Sequence, residues 1–341
     1  MRHYLSEQLM TRTLTLITLL FAGPLLAAHG DIFAANKALG RGVNFGNAFE
    51  APNEGEWGMK LEAEFFTKIK AAGFDHVRVP TKWSAHAAKE APYAIDAAFF
   101  ERIDWVLDQA EKNKLRLVLN LHHYEELDKQ PQAELPRAVA IWKQIATRYK
   151  GRGDWLYFEL MNEPHEELNK DDAWTKTIPP LLAAVRESNP KRPVIVGPPW
   201  WNGIWALPKF KLPDDPNLIV TVHCYNPHEF THQGAEWTPG SDKWLGKKWT
   251  GSPEKLKKLR DEFDQAQKWS KENKRPLYLG EFGVYHKADM ESRIRWTKAI
   301  VTEAEQRGWS WAYWEFGAGF GIYDREKQQW HEGLKGALLS Q

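Results

Sequence analysis

Tyr157-Phe158-Glu159-Leu160-Met161-Asn162-Glu163-Pro164 runs as an apolar strand and then stops at an amide, a carboxylate and a proline. The run opens at Trp155 and closes at Met161. Pro164 has no N–H to give a sheet ladder and biases Glu163 towards extended backbone, so the strand is expected to end there. Asn162 and Glu163 are thereby placed at a strand's carboxyl end, where α/β barrels carry their reactive groups. A second stretch has the same form: Pro276-Leu277-Tyr278-Leu279-Gly280-Glu281-Phe282-Gly283 is an apolar strand that delivers Glu281 to its carboxyl end.

Working outward, eight short apolar runs alternate with longer amphipathic segments. The runs are 42–45, 76–80, 115–122, 155–161, 193–197, 218–224, 276–280 and 310–316. Helical patterns fall at 61–72, 97–113, 135–149, 172–188, 253–273 and 290–308, and 331–339 closes the chain. Only a short helical candidate, 204–207, follows the fifth run. Near-continuous apolar strands alternating with helices read as a parallel sheet buried on both faces. Eight such units predict an α/β fold, a single (β/α)8 TIM barrel with its active site at the C-terminal ends of the strands. There is no linker-like segment and no internal repeat, so residues 29–341 read as one catalytic domain. The longest irregular stretch, 226–251, follows the sixth strand, and a loop of that length is usually functional.

Composition narrows the function. The chain has 341 residues, 46 basic and 45 acidic, for a net charge of +1. That balance attracts neither nucleic acid nor an anionic membrane. No Gly-x-Gly-x-x-Gly or phosphate-binding loop follows the first strand, so no nucleotide cofactor is expected. The anomaly is 18 tryptophans, more than a core requires. Trp105, Trp142, Trp269 and Trp296 fall in helical patterns and read as core; the excess suits the apolar faces of sugars. Residues 1–28 read as a signal peptide, with Arg2 and Arg12 before an apolar run and Ala27-Ala28 as the cleavage site. Either Met1 or Met10 serves as the start, and the product is expected outside the cytoplasm, extracellular or periplasmic. Cys224 is the single cysteine, which excludes an intrachain disulfide; strand alternation points it away from the cleft.

The strand ends gather polar and aromatic groups. Asn47 and Glu50 follow the first strand, Arg78 lies on the second, and His122 and His123 end the third. Asn162 and Glu163 end the fourth, Trp201 follows the fifth, and His223 and Tyr225 end the sixth. Glu281 ends the seventh and Trp314 the eighth, while His232 and Trp237 stand in the long loop. The opposite rim carries ordinary solvated charge, Lys114, Arg116, Arg192 and Arg275. Two glutamates facing each other across a bound sugar are what glycoside hydrolysis needs, one to donate a proton and one to act as nucleophile or base.

These residues resemble glycoside hydrolase family 5. The likeness runs through His76-Val-Arg-Val-Pro80, Leu121-His-His-Tyr124, Leu160-Met-Asn-Glu-Pro164, Val222-His-Cys-Tyr225, Leu279-Gly-Glu-Phe282 and Ala312-Tyr-Trp314. In detail the chain is similar to bacterial endo-β-1,4-glucanases of the branch that also cleaves β-mannans, through 47–55, 122–127 and 230–237. The resemblance implies a retaining mechanism with Glu163 as acid/base and Glu281 as nucleophile. Arg78 would lower the pKa of Glu281 and Tyr225 would hold its rotamer. The charge of Glu281 would raise the pKa of Glu163, and His223 would orient that acid. Asn162 would bond the sugar 2-OH, His122 and Trp314 would floor the site, and Trp201, His232 and Trp237 would extend the groove. Pro198-Pro199-Trp200-Trp201 is bulkier than the family's usual loop. A monomer acting on a β-linked polysaccharide, without metal or cofactor, is expected.

Two other readings compete. A metal-dependent hydrolase could use His122, His123, His223 and Glu281, but neighbouring strand residues point to opposite faces, so His122 and His123 should not share an ion. A carbohydrate-binding protein with a dead site would not need both glutamates with Arg78 and Tyr225. The preferred polymer (cellulose, mixed-linkage glucan, glucomannan or mannan) stays open at this point.

Overall fold

In the computed structural model, residues 31–340 are described. The signal-peptide reading of 1–28 lies outside them. In chain order the elements are α1 (Ile32–Leu39), β1 (Arg41–Asn44), α2 (Ala63–Ala72), β2 (His76–Val79), α3 (Ala97–Lys112), β3 (Arg116–Asn120), α4 (Glu125–Lys129), α5 (Pro131–Tyr149) and β4 (Leu156–Glu159). They continue with α6 (Ala173–Arg186), β5 (Val194–Val196), β6 (Leu218–His223), α7 (His228–Thr231), α8 (Pro253–Asn273), β7 (Leu277–Glu281), α9 (Met290–Gln306), β8 (Ser310–Tyr313), β9 (Tyr323–Asp324), β10 (Gln329–Trp330) and α10 (Glu332–Leu339).

β1 to β8 close into an all-parallel barrel, and β1 completes the ring by pairing Val43 with Tyr313 of β8. The eight-unit α/β barrel expected from the apolar runs is the fold. Strands β2, β4, β6 and β7 are buried along their whole length, as a sheet covered on both faces requires. Phe66, Ile69, Ile103, Trp142 and Trp296 pack the helices onto the outside of the barrel. A separate cluster, Val118, Tyr157, Ile195, Ile219 and Tyr278, fills the inside.

Helix α1 had no counterpart in the sequence pattern, and neither had α4 nor the β9–β10 pair. Helix α1 is tied to the barrel by Asn36 Nδ2 donating to Leu277 O (2.8 Å) and Tyr157 Oη donating to Ala35 O (2.8 Å). Its Ile32 and Leu39 join the inner cluster. Eight residues are too few for a helical period to stand out in the sequence. The 226–251 stretch is also less irregular than expected, for it holds α7 and a 3-10 turn at Ser241–Trp244. Among the described residues no helix is long and apolar enough to cross a membrane.

Candidate active site

The carboxyl ends of the strands open into a cleft of about 880 Å³. Two backbone features aim the carboxylates. At Glu163 the chain is not extended, as Pro164 suggested; φ is +45°, a conformation that non-glycine residues seldom adopt and that collects at functional sites. Between β6 and β7 the register slips: Val222 pairs with Leu279, but His223 pairs with Glu281. Gly280 is the extra residue of this bulge, and bulges re-aim side chains beside active sites. A Cβ on Gly280 would lie 2.5 Å from Thr221 Oγ1, so only glycine fits without displacing that neighbour.

Glu281 and Glu163 meet across the cleft with His223 beside both. His223 Nδ1 lies 2.7 Å from Glu163 Oε1 and 3.7 Å from Glu281 Oε2. One oxygen from each carboxyl and one imidazole nitrogen all fall within 4.8 Å of one another. Glu281 accepts from Arg78 Nη1 (2.7 Å) and from Tyr225 Oη (2.9 Å). Arg78 is fully buried beneath the cleft and does not line it. Its guanidinium grips Glu159 with two bonds (2.7 and 2.8 Å) and also reaches Asn44 Oδ1 and Asn162 Oδ1. Asn162 is therefore held from below, 6% exposed.

The electrostatics differ from expectation in their causes. Burial is the largest cause raising the Glu163 pKa to about 7, with Glu159 adding and Arg78 and His165 opposing, while the repulsion between the two carboxyls raises Glu281. Burial also raises Glu281, although His223 and Arg78 pull it down, so the arginine moderates the shift and does not reverse it. Burial lowers His223 to about 4, which leaves the imidazole neutral near neutral pH. The Glu163 side chain keeps 24% of its surface exposed against 5% for Glu281, so Glu163 is the more open of the two to the cleft.

The remaining predicted residues gather around this pair. His122 and His123 both line the cleft, their rings 4.3 Å apart. The expectation of opposite faces fails because β3 ends at Asn120 and His123 has φ of +51°. Trp314 stacks on His122 at 5.9 Å. Glu50 accepts the N–H groups of Asn47 and Ala48, and burial raises its pKa to about 8. Asn47 also lines the cleft. His232 stacks on His228 at 4.1 Å, and Trp237 meets Tyr285 edge-on at 4.9 Å. Trp201 stacks on His165 at 5.4 Å. Five tryptophans, Trp57, Trp200, Trp201, Trp205 and Trp237, stay between 41% and 58% exposed, and all five line the cleft. Trp105, Trp142, Trp269 and Trp296 pack into the core, and Cys224 is buried away from the cleft.

Sequence reading passed over Glu159, Trp57, Trp205, Tyr285 and Asn202. Glu159 had a signal, being a carboxylate inside an otherwise apolar strand. The donor atoms of Glu163, His223 and Glu281 are also spaced as a metal ion would want. However, a guanidinium 2.7 Å from Glu281 opposes a cation there, and His122 and His123 stand outside the group.

Two facing carboxyls on an eight-stranded barrel, inside a cleft walled by exposed indoles, define a glycoside hydrolase. The sequence model "Cellulase (glycosyl hydrolase family 5)" matches residues 38–319, and the chain belongs to that family. It is 35% identical to Endoglucanase H of Acetivibrio thermocellus over 317 residues, 91% of this chain but 34% of that relative. The chain thus spans about a third of that protein's length. The structure of the endoglucanase Cel5A from the hyperthermophilic Thermotoga maritima is similar at 52% identity and a TM-score of 0.89, covering 91% of this chain and 100% of that one. That protein has also been solved with mannotriose and with cellobiose. A hyperthermophilic endo-β-1,4-glucanase solved with substrate is 45% identical, with a TM-score of 0.90 over 92% of this chain and all of that one.

Proposed function

We propose that the chain is a secreted endo-β-1,4-glucanase that works as a monomer with retention at the anomeric carbon, and that glucomannan or mannan is its second substrate. The observation that carries the mechanism is the approach of one carboxyl oxygen of Glu163 to within 4.8 Å of one of Glu281. Retaining hydrolases hold their carboxyls about 5–5.5 Å apart, whereas inverting ones need about 6.5–9.5 Å to admit a water between sugar and base. The short spacing favours double displacement. Glu281, held by Arg78 and Tyr225, attacks the anomeric carbon while Glu163 gives its proton to the leaving oxygen. Glu163 then takes a proton from water, the water oxygen bonds to the anomeric carbon, and the bond to Glu281 breaks with its electron pair returning to the carboxylate. Asn162, its Oδ1 engaged by Arg78, has an NH2 group for the sugar 2-OH.

The exposed tryptophans suit several successive sugar rings, which favours attack within a chain. The likeness to the hyperthermophilic endo-β-1,4-glucanase supports β-1,4-glucan, and the mannotriose complex of the Thermotoga protein supports the mannan side activity. Residues 1–28 are proposed as the export signal. The test is a panel of carboxymethyl-cellulose, mixed-linkage glucan, glucomannan and mannan, following viscosity and reducing ends together. Viscosity should fall well ahead of reducing-end release on the glucans. A viscosity that fell no faster than reducing ends appeared would exclude endo action, and an initial α-anomer in the proton NMR spectrum would exclude retention.

A further inference from the structure

Asn202 is completely buried although it follows two exposed tryptophans. Its backbone holds φ at +55°, which asparagine tolerates better than most residues. The carbonyl accepts the His223 N–H at 2.9 Å, and Gly203 bridges to His223. Gly197 leaves the space for its side chain, since a Cβ there would lie 2.2 Å from the Asn202 amide.

The partners decide which way that amide points. One end lies 3.0 Å from Pro198 O, an acceptor only, so this end is the NH2 group. The other end is the oxygen; it lies 3.3 Å from the Glu163 backbone N–H and 3.3 Å from His223 Nε2. An oxygen so placed needs a hydrogen on Nε2. In a neutral imidazole the other nitrogen then carries a lone pair, and that nitrogen, Nδ1, is the one 2.7 Å from Glu163 Oε1.

We propose that Asn202 is a positioning residue that fixes His223 as its Nε2–H tautomer, so that Nδ1 accepts from Glu163 and the resting acid carries its proton. The proposal deepens the two-glutamate reading above and rests on it. Once the proton has passed to the leaving oxygen, the Glu163 carboxylate faces a lone pair and becomes a stronger base towards the deglycosylating water. The other groups around Glu163 are Arg78 from β2, His122 after β3, Glu159 from β4, His165 beyond it, Tyr225 after β6 and Glu281 from β7. None of them contacts Nε2 among the hydrogen bonds of the described residues, so the tautomer is left to Asn202.

The test reads the tautomer directly, by 15N NMR of histidine-labelled wild-type protein near pH 6, with His223 assigned by the signals lost in His223→Gln. The hydrogen is expected on Nε2 with Nδ1 as the lone-pair nitrogen; a hydrogen on Nδ1 would overturn the proposal. In Asn202→Ala the imidazole should turn over to Nδ1–H, which stabilises the Glu163 carboxylate. The alkaline limb of kcat/KM on a cello-oligosaccharide should then move down by about one pH unit, the worth of one hydrogen bond. Activity that falls with no movement of the limb would mean packing only. Should that variant not fold, the wild-type spectrum still decides. The spectrum needs no turnover, so a protein that failed to cleave any polysaccharide would refute the glucanase reading while leaving the tautomer question answered on its own.

Discussion

Glu163 and Glu281 are the same residue type made unlike by their neighbours. Glu281 receives two strong donors, Arg78 and Tyr225, and 5% of its side chain is exposed, whereas Glu163 has the neutral His223 and faces the cleft. The difference should appear in leaving-group dependence. Glu163→Ala should lose about 10²–10⁴ in rate on polysaccharide, the usual worth of a general acid. It should keep an appreciable glycosylation rate on an aryl β-cellobioside, and added azide should yield the β-glycosyl azide. Glu281→Ala should be inactive on both substrates, with azide giving only the α-product. An α-azide from Glu163→Ala would reverse the two roles. Both glutamates were legible because a proline or a glycine punctuates the strand at each. Asn202 was not legible, because its contacts depend on how a loop of positive-φ residues, Trp200 to Asn202, folds back on β6. The placement of His122 and His123 was misread for a related reason: strand alternation was applied beyond the end of the strand.

Single elements were legible where local chemistry marks their ends. Helix α8 matches its pattern at both ends, since Ser252 caps it and Pro253 stands at its first position. Helix α1 lacks such length, and the contacts that hold it come from strands far along the chain. The bulge at Gly280 was invisible as well, since a glycine in an apolar run reads equally as tolerance or as need. Its geometry decides the matter. Gly280→Ala should push against Thr221 and turn both His223 and Glu281 off line. Misplacement on the order of 1 Å costs about 10²-fold, so kcat should fall by at least that much. Circular dichroism should stay native. Activity within a few fold of wild type would show that the bulge does not aim the pair.

The whole molecule carries an unusual set of buried titratable groups, and their signs oppose. Burial raises Glu50 to about 8 and Glu163 and Glu315 to about 7 from an ordinary 4.5. The folded state therefore binds more protons than the unfolded one above pH 4.5, and this stability is lost as pH rises towards 8. Burial lowers His76 and His232 to about 3 and His123 and His223 to about 4 from 6.5. The unfolded state then binds more protons below pH 6.5, and stability is lost as pH falls towards 4. The Tm should therefore peak between about pH 4.5 and 6.5, and Glu50→Gln should flatten the alkaline decline by a few degrees. A Tm that climbed steadily to pH 8 would contradict these assignments. At this scale the barrel was legible because eight apolar runs leave few other ways to bury them. The cleft's indole walls were legible only in part, since an excess of tryptophan does not say which ones face water. The claim on which all of this converges is that Glu281 becomes glycosylated during turnover. Treating the protein with a 2-deoxy-2-fluoro-β-cellobioside that carries a good leaving group, then mapping the labelled peptide by mass spectrometry, tests it. One sugar adduct on Glu281 is expected; an adduct on Glu163, or inactivation of none of the enzyme, would contradict it.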